Sequence, residues 1–265
     1  MDSATVLKAG DYLRTWRQRR RMSQLDFALD ADISQRHLSF LESGRASPSR
    51  DMLLHLAERL DVPLRERNAM LLAAGFAPVY SERSLDDPAM TTAREAIEMV
   101  LKGHEPFPAL AVDRHWNLIT ANRAVAPLLA GVEDTTLLAP PLNVLRLSLH
   151  PRGLAPRIGN LGEWRAHLLD RLRRQIAVTS DTALVALLQE LSGYPAGDAQ
   201  PATPSDHGGV FVPLKLVTAQ GTLSFVSTTT VFGTPRDVTL AELAVEAFFP
   251  ADDKTRAILE QLAKA

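Results

Sequence analysis

Along the first 75 residues the apolar positions recur every three or four residues, the rhythm of short amphipathic helices rather than strands. Residues 5–21 predict a first helix with Leu7, Tyr12, Leu13 and Trp16 facing inward. A second follows Ser23, whose hydroxyl suits an N-cap, with Leu25, Ala28 and Leu29 at helical spacing. A third follows Ser34, with Ile33, Leu38 and Leu41 as the inward stripe. Asp32 lies between them at a turn that needs a positive φ, which Asp tolerates better than most residues. Ser49 predicts the cap of a fourth helix, Arg50 to Leu60, and Pro63 opens a fifth that stops at Gly75. The stretch Met22 to Ser49 therefore predicts a helix-turn-helix. Its second helix, Gln35 to Ser43, keeps Gln35, Arg36, His37 and Ser39 outward. Gln and Arg are the side chains that grip adenine and guanine edges in a major groove.

The rhythm then loosens. Phe76 to Met90, with Pro78, Pro88 and a polar middle, predicts a linker. Thr91 to Gly103 returns to helical spacing, with Ala93, Ile97, Val100 and Leu101 inward. Ala109–Val112 and Trp116–Ala121 are short apolar runs about an Asp113-Arg114-His115 turn, with a helix expected from Asn122. Two amphipathic helices follow at Trp164 to Val178 and Asp181 to Leu191. Gly193 to Gly209 is loop-like, and Val210–Ala219 with Thr222–Gly233 reads as a β-branched hairpin about Gln220-Gly221. Asp237 or Thr239 is expected to cap a short helix, and Asp252 or Asp253 to start the last one. The fold class this predicts is α+β. An all-α five-helix domain (1–75) and a linker (76–90) precede a domain (91–265) with an antiparallel sheet of about five strands flanked by helices.

Composition narrows the class. At 265 residues the chain is too long for one small DNA-binding module. No cysteine is present, which excludes disulfides and thiolate metal sites and suits a reducing cytoplasm. No apolar run reaches the roughly 18 residues of a membrane helix, and no hydrophobic signal segment opens the chain, so no membrane partner is expected. The net charge of −2 divides unevenly: residues 1–50 hold nine Lys/Arg against six Asp/Glu, or +3, which leaves −5 for the rest. That asymmetry agrees with DNA binding only alongside the motif. The basic run at the end of the first helix, RQRRR, suits phosphate contact or a helix terminus equally.

Two resemblances sharpen these readings. LSFLESGRASPS followed by MLLHLAERLDVPLRERNAMLLAAGF resembles the XRE (phage-repressor and Cro-like) family of DNA-binding domains. The resemblance implies that Gln24 holds a phosphate and that Gln35, Arg36 and His37 read bases. Ser34, Ser39, Ser43 and Arg45 complete the expected DNA-facing set. It also implies a structural ion pair between Arg17 and Glu42. Asp32 departs from the family's usual glycine, so a slightly strained turn is expected. Further on, the strand–turn–strand with N-x-A leading to a helix resembles the opening of PAS-like sensor domains. PLNVLRLSLHPRGLAPRIGNLGEW and TTTVFGTPRDVTLAELAVEAFFPADDKT resemble the MmyB-like regulators. That resemblance implies a non-covalently bound long-chain fatty acid such as myristate.

No catalytic constellation emerges. The chain has no G-x-S-x-G elbow, phosphate-binding glycine loop or His-Glu-x-x-His. The seven histidines are scattered without metal-ligand spacing, so neither a metal nor an enzyme is expected, and Ser205-Asp206-His207 reads as loop composition. An acyl ligand needs an apolar cavity, and its carboxylate needs a cation or several N–H donors at the mouth. Arg146, His150, Arg152, Asn160 and Trp164 are the expected mouth residues. Leu145, Leu147, Phe211, Phe225, Val231 and Phe232 are the expected walls. The cluster Arg171, Arg173 and Arg174 reads as a solvated helix face, with an acidic partner as the sharper option. The chain as a whole reads as a transcription regulator that binds a double-stranded, palindromic operator as a homodimer and senses a small apolar ligand. The alternative is a DNA-binding repressor or antitoxin-like protein whose second domain binds a protein.

Overall fold

A computed structural model describes residues 8–196 and 211–264. Leu7, the Ser205-Asp206-His207 triplet and the strand start expected at Val210 lie outside the described residues. The chain divides into two compact units, one formed by the chain to Arg83 with Pro235–Ala241, the other by Ser84–Thr234 with Glu242–Ala265.

The first unit is helical: α1 (Ala9–Arg19), α2 (Gln24–Asp30), α3 (Gln35–Glu42), α4 (Arg50–Arg59) and α5 (Leu64–Ala73). The local signals act as expected. Ser23, Ser34 and Ser49 each accept from a backbone N–H one turn on, at Asp26, His37 and Met52. Asp32 holds φ +53° at the turn between α2 and α3, and Gly75 holds φ +82° beyond α5. The core gathers Leu13, Trp16, Phe27, Leu38, Leu41, Leu53, Leu56 and Met70. One expectation fails in part: Leu25 and Leu29 are 50% and 72% exposed, while Ala28 is buried as expected and Phe27 is buried beside it. Gly10 has a packing reason, since a Cβ there would sit 2.3 Å from the Leu41 carbonyl oxygen, so α1 lies backbone to backbone against the end of α3.

Residues 76–83, read from sequence as linker, pack on α5. Asn68 fixes them, accepting from the N–H groups of Val79 and Tyr80 and donating to the Tyr80 carbonyl at 2.7 Å. Pro235–Ala241 joins this unit by equally specific contacts. The Val238 N–H donates to the Ser81 carbonyl at 2.8 Å, and Arg83 pairs with Asp237 at 3.2 Å.

The second unit carries α6 (Thr91–Gly103), β1 (Ala109–Val112), β2 (Leu118–Ala121), α7 (Ala126–Leu129), α8 (Val144–Leu149), α9 (Leu161–Thr179) and α10 (Thr182–Ser192). It continues with β3 (Leu214–Thr218), β4 (Gly221–Val231), β5 (Ala244–Pro250) and α12 (Asp253–Leu262); α11 (Val238–Ala241) lies between β4 and β5 and belongs to the helical unit. The five strands form one antiparallel sheet in the order β2-β1-β5-β4-β3. Alternation sorts its two faces. Ala109, Ala111 and Val245 pack with Ile97 and Leu101 of α6, while Val112, Leu216, Leu223 and Phe225 pack with Leu168, Leu169 and Leu172 of α9. Val100, expected inward, is 49% exposed.

The helix expected from Asn122 shrinks to the single turn α7. The Asn122 side chain does not cap a helix. It accepts from the Ala109 N–H at 3.1 Å and donates to the carbonyls of Leu101 and Phe107 at 3.0 and 2.8 Å. The later caps fall on Asp181 for α10, Asp237 beside α11 and Asp252 for α12.

Candidate functional site

The outward face of α3 is the first candidate. Ser34, Gln35, Arg36, His37, Ser43 and Arg45 are exposed there, and Ser39 is half-buried. Arg36 and Arg45 converge on one ring, their guanidinium carbons 5.4 and 6.0 Å from the centre of Phe40. That contact restrains two long side chains before they meet anything else. Gln24 is half-buried and donates its amide N–H to Glu42 at 2.8 Å. Glu42 is the hub: Arg17 pairs with it through Nε at 2.6 Å and Nη2 at 3.0 Å, so the ion pair expected from sequence holds α1 to the reader helix. Within the basic run, Arg20 donates to the carbonyls of Leu60 and Asp61, both at 2.8 Å. Arg20 therefore fastens α1 to the end of α4, while Arg19 and Arg21 stay exposed.

The second candidate is a cavity between the sheet and the helices α7 to α9. Its wall is apolar, with Leu110, Val125, Leu129, Leu145, Leu147, Leu214, Phe225 and Phe248 among the lining residues. The centre of a water-sized sphere has about 120 Å³ to move in it. A single water needs roughly 10–15 Å³ on that measure, so the space fits an organic molecule. Leu145, Leu147 and Phe225 are wall residues expected from sequence; Val231 is 62% exposed and Phe232 packs with the α6 face instead.

Polar groups in the lining are few. Trp164 donates its indole N–H to Ser148 at 3.1 Å. Arg171 of α9 pairs with Glu246 of β5 through both terminal nitrogens, one at 3.1 Å to Oε2 and the other closer to Oε1. Thr229 closes the cluster, accepting from Arg171 at 2.6 Å and donating to Glu246 at 2.8 Å. The Arg171 guanidinium carbon lies 4.4 Å from the ring centre of Trp116, whose own N–H donates to Gln175 at 2.8 Å.

Of the five expected mouth residues, Trp164 lines the cavity and the other four are engaged elsewhere. Arg146 pairs with Glu190 at 2.6 and 2.7 Å. Hydrogen bonding to Arg146 holds the Glu190 carboxyl below its usual range, and burial with Glu190 beside it pushes Tyr194 up to about 12. His150 meets the Tyr194 ring edge-on at 5.1 Å. Arg152 pairs with Glu133 and Asp134, and Asn160 fastens Pro213 and Lys215 to the start of α9. The polar lining residues Arg171, Glu246 and Ser148 were not expected there. Two signals point to them: Arg171 falls seven residues after Trp164 on the same helix face, and Glu246 takes an inward strand position between Ala244 and Phe248.

Among the described residues no group of three His, Asp or Glu is placed to hold a metal, and no helix is long and apolar enough to cross a membrane. Residues 93–262 match the family model of the MmyB-like transcription regulator ligand binding domain, and residues 13–67 match that of a helix-turn-helix. No match is found among curated proteins.

Proposed function

The chain belongs to the MmyB-like transcription regulators, an XRE-type helix-turn-helix joined to a ligand-binding domain, and from that premise we propose that it senses a long-chain fatty acid or similar acyl ligand in the cytoplasm. The apolar cavity with one charged end is the observation that carries the reading, and we read the domain around it as PAS-like. It supports a small ligand over a protein partner for this domain, because a protein-binding module needs a filled core beneath an exposed groove. The same arrangement supports a non-enzymatic role.

The chain's own connectivity offers a route from ligand to DNA. β4 and β5 supply Phe225, Glu246 and Phe248 to the cavity wall, and the segment joining them, Pro235–Ala241, belongs with the helical unit. A ligand that prefers one setting of these strands shifts the population of the arrangement that binds DNA. A single short reader helix specifies few base pairs, so the operator is palindromic and the regulator a homodimer, with half-sites about one helical turn (~34 Å) apart.

The DNA reading is tested residue by residue. Arg36→Ala is expected to relax base preference at one position, costing roughly 1–3 kcal/mol against the best sequence. Gln24→Ala is expected to weaken binding to every sequence alike. Operator selection followed by quantitative titration separates the two. Parent-like affinity and specificity in both variants would overturn the assignment of α3 as the reader.

A further inference from the structure

Phe40 sits where two local geometries of α3 converge, and the role inferred for it rests on α3 being the DNA reader. Arg36 precedes it by four residues, so the two side chains share a helix face one turn apart. Arg45 reaches the same ring from beyond the helix end. There Gly44 takes φ +71°, its N–H donates to the Leu41 carbonyl at 3.2 Å, and the Arg45 N–H donates to the Phe40 carbonyl at 2.9 Å. This is a Schellman arrangement, which brings the second residue past the cap against the last turn of the helix. An apolar side chain ordinarily makes that contact. In this chain the Arg45 guanidinium makes it, 6.0 Å from the ring centre, with Arg36 at 5.4 Å. The ring is half-buried, yet the core around Leu38 and Leu41 does not include it. Neither arginine has an ion pair among the described residues. Two exposed cations gathered on one ring without a carboxylate suit a polyanion, not a contact inside the fold.

We propose that Phe40 is a positioning residue for sequence reading, a shared support that couples base recognition by Arg36 to phosphate contact by Arg45. Arg36 belongs to the first turn of α3, with Gln35 and His37, where a reader helix meets base edges; Arg45 lies past its last turn, on the side of the sugar–phosphate backbone. Phosphate contacts fix a protein's register on the duplex, and base contacts read it. With both guanidiniums on one ring, anchor and reader keep a fixed spacing, and less side-chain freedom is lost when a guanine edge is gripped. A free arm swings to a nearby phosphate at a mismatched site and recovers affinity. An arm held on the ring does not, so the ring acts on discrimination and not on affinity alone.

The test uses the full chain and the tightest duplex recovered by operator selection, with single-base changes at the position read by Arg36. In Phe40→Leu the apolar bulk stays and the aromatic face is lost. Discrimination at that position is expected to fall about two- to fivefold, the worth of one exposed cation–π contact. The salt slope should hold, because both charges remain. Discrimination is a ratio of affinities within one sample, so partial unfolding does not mimic the effect. Phe40→Trp should restore it, since indole is the better partner for a cation. Adding Phe40→Leu to Arg36→Ala should cost no further discrimination there, the mark of two residues acting as one. Arg45→Ala should lower the salt slope by about one. Parent-like discrimination in Phe40→Leu, no rescue by Trp, an additive loss in the double variant, or an unchanged slope in Arg45→Ala overturns the proposal and leaves α3 as the reader. If Arg36→Ala has no position-specific effect, the reader assignment fails and the proposal with it.

Discussion

Replacing Glu42 by alanine is expected to lower the stability of the helical unit by about 3–5 kcal/mol, because it strands a buried charge. Glu42 is 2% exposed and Arg17 9% exposed, so their pairing takes place out of water. Removing the carboxylate leaves the Arg17 guanidinium with the Met22 carbonyl at 2.7 Å as its remaining described acceptor, and it releases Gln24 as well. The loss comes from the orphaned cation more than from the attraction itself. The double variant Arg17→Met, Glu42→Leu should therefore lose less than Glu42→Ala alone, as apolar replacement removes both charges together. Urea unfolding measures the cost, and amide exchange in α1 to α3 locates it. A loss below about 1 kcal/mol for Glu42→Ala, the scale of an exposed pair, would show that the site is wetter than its burial implies.

Asn122→Ala is the second large effect, on the order of 3 kcal/mol, and it falls on the other unit. The buried amide holds three backbone groups: the Ala109 N–H and the carbonyls of Leu101 and Phe107. Alanine removes the partner of the Ala109 N–H and of the Phe107 carbonyl, while the Leu101 carbonyl keeps the His104 N–H at 3.3 Å; an unmade buried hydrogen bond costs more than a made one contributes. Thermal unfolding should show a lowered midpoint, with amide exchange accelerated first in β1 and at the end of α6. Unchanged protection of β1 would mean that the hairpin does not depend on this side chain.

These two residues also show what the sequence makes legible. The pairing of Glu42 with Arg17 is legible because both belong to a dense motif, and the serine caps rest on three-residue signals that act within one turn. Leu25 and Leu29 misled because spacing defines a stripe but not its width. Phe27 lies one residue before Ala28, and packing of α1 and α3 turns that side of α2 inward. Asn122 announced itself only as a helix start. Its three partners lie 13 to 21 residues back in the chain, and no local pattern connects them.

The cavity was harder still. Loop motifs rich in Arg, His and Asn suggest a carboxylate mouth, but those side chains brace α8 and α9 against their neighbours. Arg171 and Glu246 stand 75 residues apart, and they meet only because β5 enters the middle of the sheet beneath α9. Pro235–Ala241 was invisible for the same reason: a short capped helix in sequence says nothing about which unit it will join.

Native mass spectrometry of the purified protein, followed by denaturing extraction and identification of what is released, decides whether the second domain holds a ligand. An acyl ligand is expected at close to one per chain, displaced by added fatty acid. A protein that is empty, and that also gains no thermal stability from added fatty acids, would contradict it and shift the second domain to binding a protein partner.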